Sequence, residues 1–114
     1  MAVANELGLD RDLAMARVGG DAELLKELAQ LFLEEYPRLL VELREAQDHA
    51  DARQVERTAH GLKGSVANFG AKRAVETAFQ IEQLGRAGKL ERVPELLQVL
   101  DEALSALKDE LDRL

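Results

Sequence analysis

Residues 57–72 read RTAHGLKGSVANFGAK. The stretch has helical spacing, yet Gly61 and Gly64 fall in what should be interior turns, beside one of the two histidines in the chain. An interior glycine costs roughly 1 kcal/mol relative to Ala, so two of them need a reason. At about 100° per residue, with His60 set at zero, Val55, Ala59, Leu62, Val66 and Phe69 fall within about 80° on the opposite side. That sector is the buried face, so His60 points at solvent. Lys63 lies one turn on, about 60° to one side, and Gly64 about 40° to the other. Ala67 follows almost in line two turns on, and Arg57 comes one turn before. A bare backbone at Gly64 lets a partner approach the imidazole closely. Gly61 sits on the flank, where the wheel offers no equally sharp reason for it.

Outward from this stretch the chain divides at turn signals. The motif helix is expected over about 52–68, with Gly70 terminating it. Before it, Asp10 can cap a short helix carrying Leu13, Ala16 and Val18, which stops at Gly19-Gly20. Asp21 then starts a long apolar stripe of Leu24, Leu25, Leu28, Leu31, Phe32, Tyr36, Leu39, Leu40 and Leu43. Pro37 interrupts that segment without changing its phase, which predicts a kink or two nearly collinear helices. QDHAD near 47–51 reads as a turn. After the motif, residues 71–87 place Ala74, Val75, Ala78, Ile81 and Leu84 or Gly85 inward, with Phe79 near the edge of the stripe. AGK at 87–89 makes the next turn. The last helix is expected over about 91–111, burying Leu96, Leu97, Leu100, Leu104, Leu107 and Leu111, with Pro94 tolerated in its first turn. No segment alternates with period two for long enough to make a strand. The expected fold is all-α: an up-down four-helix bundle with a short extra N-terminal helix.

Composition bounds the function. The 114 residues are 46% hydrophobic but only 4% aromatic, so one core built mainly of Leu, Val and Ala is expected. Length and the lack of an internal linker suggest a single domain over 1–114. A net charge of −7 argues against nucleic acid and against an anionic membrane. With no cysteine, disulfides and thiolate metal sites are excluded. The N-terminus lacks a basic-then-apolar leader pattern, and no apolar run approaches the roughly 20 residues of a membrane span. A cytoplasmic monomer is the expectation. His49 and His60, eleven residues apart with a turn between them, do not form a metal pair, and neither metal nor cofactor is expected.

The chemistry of the His60 face follows from its residue types. A neutral imidazole is nucleophilic near pH 7, because its unperturbed pKa is about 6.5. An exposed one can take a phosphoryl group on nitrogen, and the Lys63 ammonium can hold the resulting oxygens. Between residues 51 and 73 the basic side chains Arg53, Arg57, Lys63, Lys72 and Arg73 outnumber the acidic Asp51 and Glu56. A basic island on an acidic chain suggests a docking face for an acidic partner, to which Arg57, Gly61, Ala67, Lys72 and Arg73 would contribute. His49 lacks such surroundings and is expected to be inert.

AHGLKGSVANFGA, residues 59–71, resembles the signature of histidine-containing phosphotransfer (HPt) domains: His60, Leu62, Lys63, Gly64, Ser65, Phe69, Gly70 and Ala71 match. VGGDAELLKELAQLFLEEYPRLLVEL and IEQLGRAGKLE resemble neighbouring helices of that family, so the likeness covers most of the chain. The resemblance implies that His60 takes a phosphoryl group from the aspartyl phosphate of a response-regulator receiver domain and passes it to another. Lys63 would stabilise the group and Gly64 would give clearance. The receiver would bring its own acidic pocket and metal ion, and no ATP site would be needed. A hybrid sensor histidine kinase is a further implied partner. Several family members carry Gln where this chain has Glu82; a similar Glu occurs in the phosphotransfer domain of chemotaxis kinases. A carboxylate accepting from Nδ1–H would orient His60 and leave Nε2 as the nucleophile. Two alternatives stay open: the phosphoacceptor domain of a chemotaxis-type kinase, phosphorylated directly by an ATP-binding domain, or a binding-only module.

Overall fold

A computed structural model describes residues 8–114. Residues 1–7, part of the N-terminus in which no leader pattern is read, lie outside them. Five helices follow in order: α1 (Arg11–Arg17), α2 (Ala22–Asp48), α3 (Ala52–Ala67), α4 (Lys72–Ala87) and α5 (Val93–Asp112). Helix α2 packs on α3 and α5, and α4 packs on the same two, which closes a four-helix bundle. Helix α1 touches α2. There is no strand among the described residues.

Local chemistry explains the boundaries. Asp10, Asp21 and Asp51 each stand at an N-cap and accept from the backbone N–H three residues on, at 3.1 Å. Each satisfies one of the donors that a helix start leaves over, worth about 1 kcal/mol. Asp51, read from the sequence only as part of a turn, therefore also starts α3. Gly88 closes α4 in the left-handed region (φ 70°), where a side chain would be strained. Pro94 lies in the first turn of α5. Gly70 (φ 62°) ends the turn after α3, and a Cβ there would come within 2.5 Å of the Asp10 Cβ. The Asp10 N–H donates to the Phe69 carbonyl at 2.9 Å, so the N-terminal segment is seated on the α3–α4 turn.

Of the two outcomes expected at Pro37, division into two nearly collinear helices does not occur: α2 is one helix through it. Phe32, Tyr36 and Leu40 are buried on either side of Pro37, and that continuous buried face holds the helix in phase across the missing donor. The buried face of α2 is also narrower than the expected stripe. Leu24 and Leu31 are exposed, the latter at 61%, while Ala29 and Ala46 are buried in their place. A 27-residue helix packed on two neighbours buries a narrower sector than a list of leucines suggests.

Candidate functional site

Helix α3 sets the orientation of His60. Val55, Ala59, Leu62 and Val66 are each completely buried. Burying a Val or Leu side chain is worth about 1.5–3 kcal/mol, so the three larger ones hold the rotational setting of α3 with roughly 5–9 kcal/mol as an upper estimate. Turning the helix to bury the histidine would forfeit that. The His60 side chain is 68% exposed as a result. Gly61 and Gly64 lie on the same open surface, and a Cβ at either would meet nothing within 4 Å. Nothing among the described residues requires glycine at those two places.

Helix α4 runs antiparallel to α3 and packs on it more intimately than any other pair does. Gly85 makes the approach possible: a Cβ there would lie 2.7 Å from the Glu56 nitrogen and 3.0 Å from the Ala52 carbonyl oxygen. One turn earlier on α4, Glu82 is buried against α3 with 4% of its side chain exposed. Its Oε2 lies 3.0 Å from His60 Nδ1. Its Oε1 is ion-paired with Lys63 Nζ at 2.7 Å and, among the described residues, has no hydrogen-bond partner of good geometry. Arg86 brings Nη2 to 3.4 Å from Oε2, while its Nε donates to Glu56 at 2.8 Å. Burial pushes the Glu82 carboxyl up, but Lys63 and then His60 outweigh it and hold it below the ordinary carboxylate value. An ionised carboxylate only accepts, so in the neutral imidazole the Nδ1 carries the proton. Nε2 is left with its lone pair.

The structure thus brings His60, Lys63, Gly61, Gly64 and Glu82 together. Arg57 is exposed one turn before His60, and Ala67 is half-buried two turns after it. Lys72 and Arg73 are exposed at the start of α4, about 14 Å along the helix from Glu82, and do not border the imidazole. Lys63 is not the free cation a wheel shows: its side chain is 26% exposed, its ammonium rests on Glu82, and it sits 5.0 Å above the Phe79 ring. The Lys63 charge in the basic island is offset locally, because α4 lays the Glu82 carboxylate against it with Arg86 beside them. Arg86 is not a site candidate from the sequence, and Glu56 enters there only as a charge in the 51–73 segment. The Glu82–Arg86 spacing of four is a legible helix pair, but nothing in the sequence points across to Glu56. His49 stands apart at the C-cap of α2, its Nδ1 2.8 Å from the Glu45 carbonyl oxygen. Among the described residues there is no cluster of three or more His, Cys, Asp or Glu that could hold a metal, and no helix is long and apolar enough to cross a membrane.

A family model described as Hpt domain matches residues 27–110, which take in α3 and α4 whole and most of α2 and α5. The chain belongs to the Hpt domain family. A histidine phosphotransfer function in a phosphorelay goes with that membership. The backbone of this Hpt domain is similar to the crystal structure of histidine-containing phosphotransfer protein B from Pseudomonas aeruginosa PAO1. The TM-score is 0.86 and the identity 23%, over 92% of this chain and 91% of that one. It is also similar to the HPT domain of a sensor hybrid histidine kinase from Shewanella. There the TM-score is 0.79 and the identity 20%, over 96% and 93% of the two chains. At those identities the two likenesses speak for the fold. No curated protein matches the chain in a sequence comparison.

Proposed function

We propose that this Hpt domain is a phosphoryl carrier with His60 as its phosphorylated residue, loaded by one receiver domain and unloaded by another. The carrying observation is the exposed imidazole with Nδ1 engaged by a buried carboxylate and Nε2 open over a surface without side chains at Gly61 and Gly64. In the forward step the Nε2 lone pair attacks the phosphorus of the receiver's aspartyl phosphate. The bond from phosphorus to the aspartyl oxygen breaks, and the carboxylate leaves with its electrons. The Nδ1 proton stays in place against Glu82. Transfer to the next receiver reverses these events. Lys63 holds the phosphoryl oxygens, Gly61 and Gly64 give clearance, and Arg57 and Ala67 border the docked receiver. Lys72 and Arg73, farther off, act by long-range attraction to its acidic pocket. The receiver contributes that pocket and its metal ion, so the domain works as a carrier without an ATP site. It acts as a cytoplasmic monomer, a single domain spanning 1–114.

One observation favours a second reading. The residue beside His60 is a glutamate, as in the phosphotransfer domain of chemotaxis kinases, and that supports direct phosphorylation by an ATP-binding domain. The deciding experiment offers wild type and His60→Gln to labelled receiver domains of the same organism. Acid-labile, base-stable label on wild type alone supports the relay. Label taken only from a kinase ATP-binding domain favours the second reading. No label from either source overturns both.

A further inference from the structure

Glu82 is a buried carboxylate with two cations on it from different helices, Lys63 from α3 on Oε1 and Arg86 from α4 on Oε2. His60 of α3 shares Oε2, and Glu56 of α3 holds the far side of the Arg86 guanidinium. Among the described residues these are the charged and titratable groups that face Glu82. The two cations are differently placed. Lys63 is close, at 2.7 Å, and is the group drawn to the phosphoryl oxygens in the reading above, on which this inference rests. Arg86 is looser, at 3.4 Å, and its 65% exposed side chain is tethered by Glu56 rather than committed to Glu82. When Lys63 leaves, a carboxylate with 4% of its side chain exposed loses its nearest counter-ion. A buried charge without a partner is expensive and is relieved by taking up a proton. A protonated Glu82 could then donate, and would no longer hold the Nδ1 proton of His60.

We propose that Arg86 is a positioning residue, a second counter-ion that keeps Glu82 a carboxylate aimed at His60 Nδ1 while Lys63 is withdrawn to the phosphoryl group. Glu56 keeps the guanidinium within reach during that interval. The arrangement gives a reason for a cation on Oε2 when Oε1 already has a closer one. In the resting state the two are redundant, and the redundancy ends when Lys63 turns away.

Redundancy has a signature that a merely structural role lacks. Lys63→Met removes the ammonium and keeps an apolar stem over Phe79, so it reproduces the withdrawn state without any phosphoryl group. Carbon-13 NMR of the Glu82 carboxyl and nitrogen-15 NMR of the His60 ring would be followed against pH in wild type, Lys63→Met, Arg86→Ala and the double variant. Each single variant is expected to leave Glu82 ionised at pH 7 with the His60 proton on Nδ1. The double variant is expected to raise the proton affinity of Glu82 at least about tenfold beyond the sum of the single effects, with loss of the Nδ1–H signature. Lys63→Met with Arg86→Lys is expected to recover most of it. A double variant no different from Lys63→Met alone, or effects that simply add, would overturn the proposal. Because no phosphoryl transfer is measured, a failed relay assay and a failed coupling are separate results. Circular dichroism of each variant guards against misreading a loss of fold.

Discussion

Gly85→Ala sets helix propensity against helix packing. Replacing an interior helical glycine by alanine gains about 0.5–1 kcal/mol where the site is open. Gly85 is not open: the added Cβ would stand 2.7 Å from the Glu56 nitrogen, 3.0 Å from the Ala52 oxygen and 3.1 Å from the Glu56 Cα. All three are backbone atoms of α3, so no side chain can rotate away. Ordinary contact begins at 3.4 Å, and relief requires α4 to withdraw by about 0.7 Å at this level. Overpacking of this kind costs about 1–3 kcal/mol, which exceeds the propensity gain. The net of the two is a loss of up to about 2.5 kcal/mol, with a fall in Tm of about 4–8 °C per kcal/mol for a domain near this size. The same withdrawal, carried one turn along α4, would stretch the His60–Glu82 contact from 3.0 Å to beyond about 3.5 Å, where it ceases to be a hydrogen bond. Urea melts measure the first effect and nitrogen-15 shifts of the His60 ring the second. A variant that is more stable by about 1 kcal/mol with unchanged ring shifts would refute the argument that Gly85 sets the α3–α4 separation.

Gly64→Ala should behave oppositely in stability: its site is open, so a gain of about 0.5–1 kcal/mol is expected in the same melts. Labelling from a receiver should nonetheless slow about tenfold or more, and unimpaired transfer would remove clearance as the reason for that glycine. Pro37→Ala should raise the unfolding free energy in urea melts by up to about 2 kcal/mol, since it restores a donor toward Leu33 and removes the ring clash, less a small unfolded-state term. No gain would show that α2 has already relaxed around the ring. Glu82 is held below its ordinary carboxyl value of 4.5, so it binds fewer protons folded than unfolded and contributes stability above that value. That contribution should be constant from neutrality down to about 4.5 and disappear as pH falls further. Stability curves of wild type and Glu82→Gln should therefore converge below that point, and a constant gap down to pH 3 would contradict the assignment.

Much of this protein is written along single segments. The helix phase of Val55, Ala59, Leu62, Val66 and Phe69 depends only on local spacing, and it alone turns His60 outward. Asp10 and Asp21 as caps, Gly70 and Gly88 as stops, and Pro94 in a first turn are likewise short-range chemistry, legible without a fold. What a segment cannot reveal is which of its side chains meets another helix. Leu24 and Leu31 share the spacing of the core leucines, yet they lie at the border of the buried sector and stay in solvent. The spacing rule counts faces; only packing decides how wide a face is covered. Likewise Lys63 reads as a free cation on its own wheel and becomes a paired one because α4 lays Glu82 across it. The Glu56–Arg86 brace joins residues thirty positions apart and exists only because Gly85 lets the two helices come close. The exposed histidine and its bare surroundings were therefore determined by sequence, through helix periodicity. The charge state of its neighbours was decided by tertiary structure, because burial and the distance between opposing helices set which ions meet.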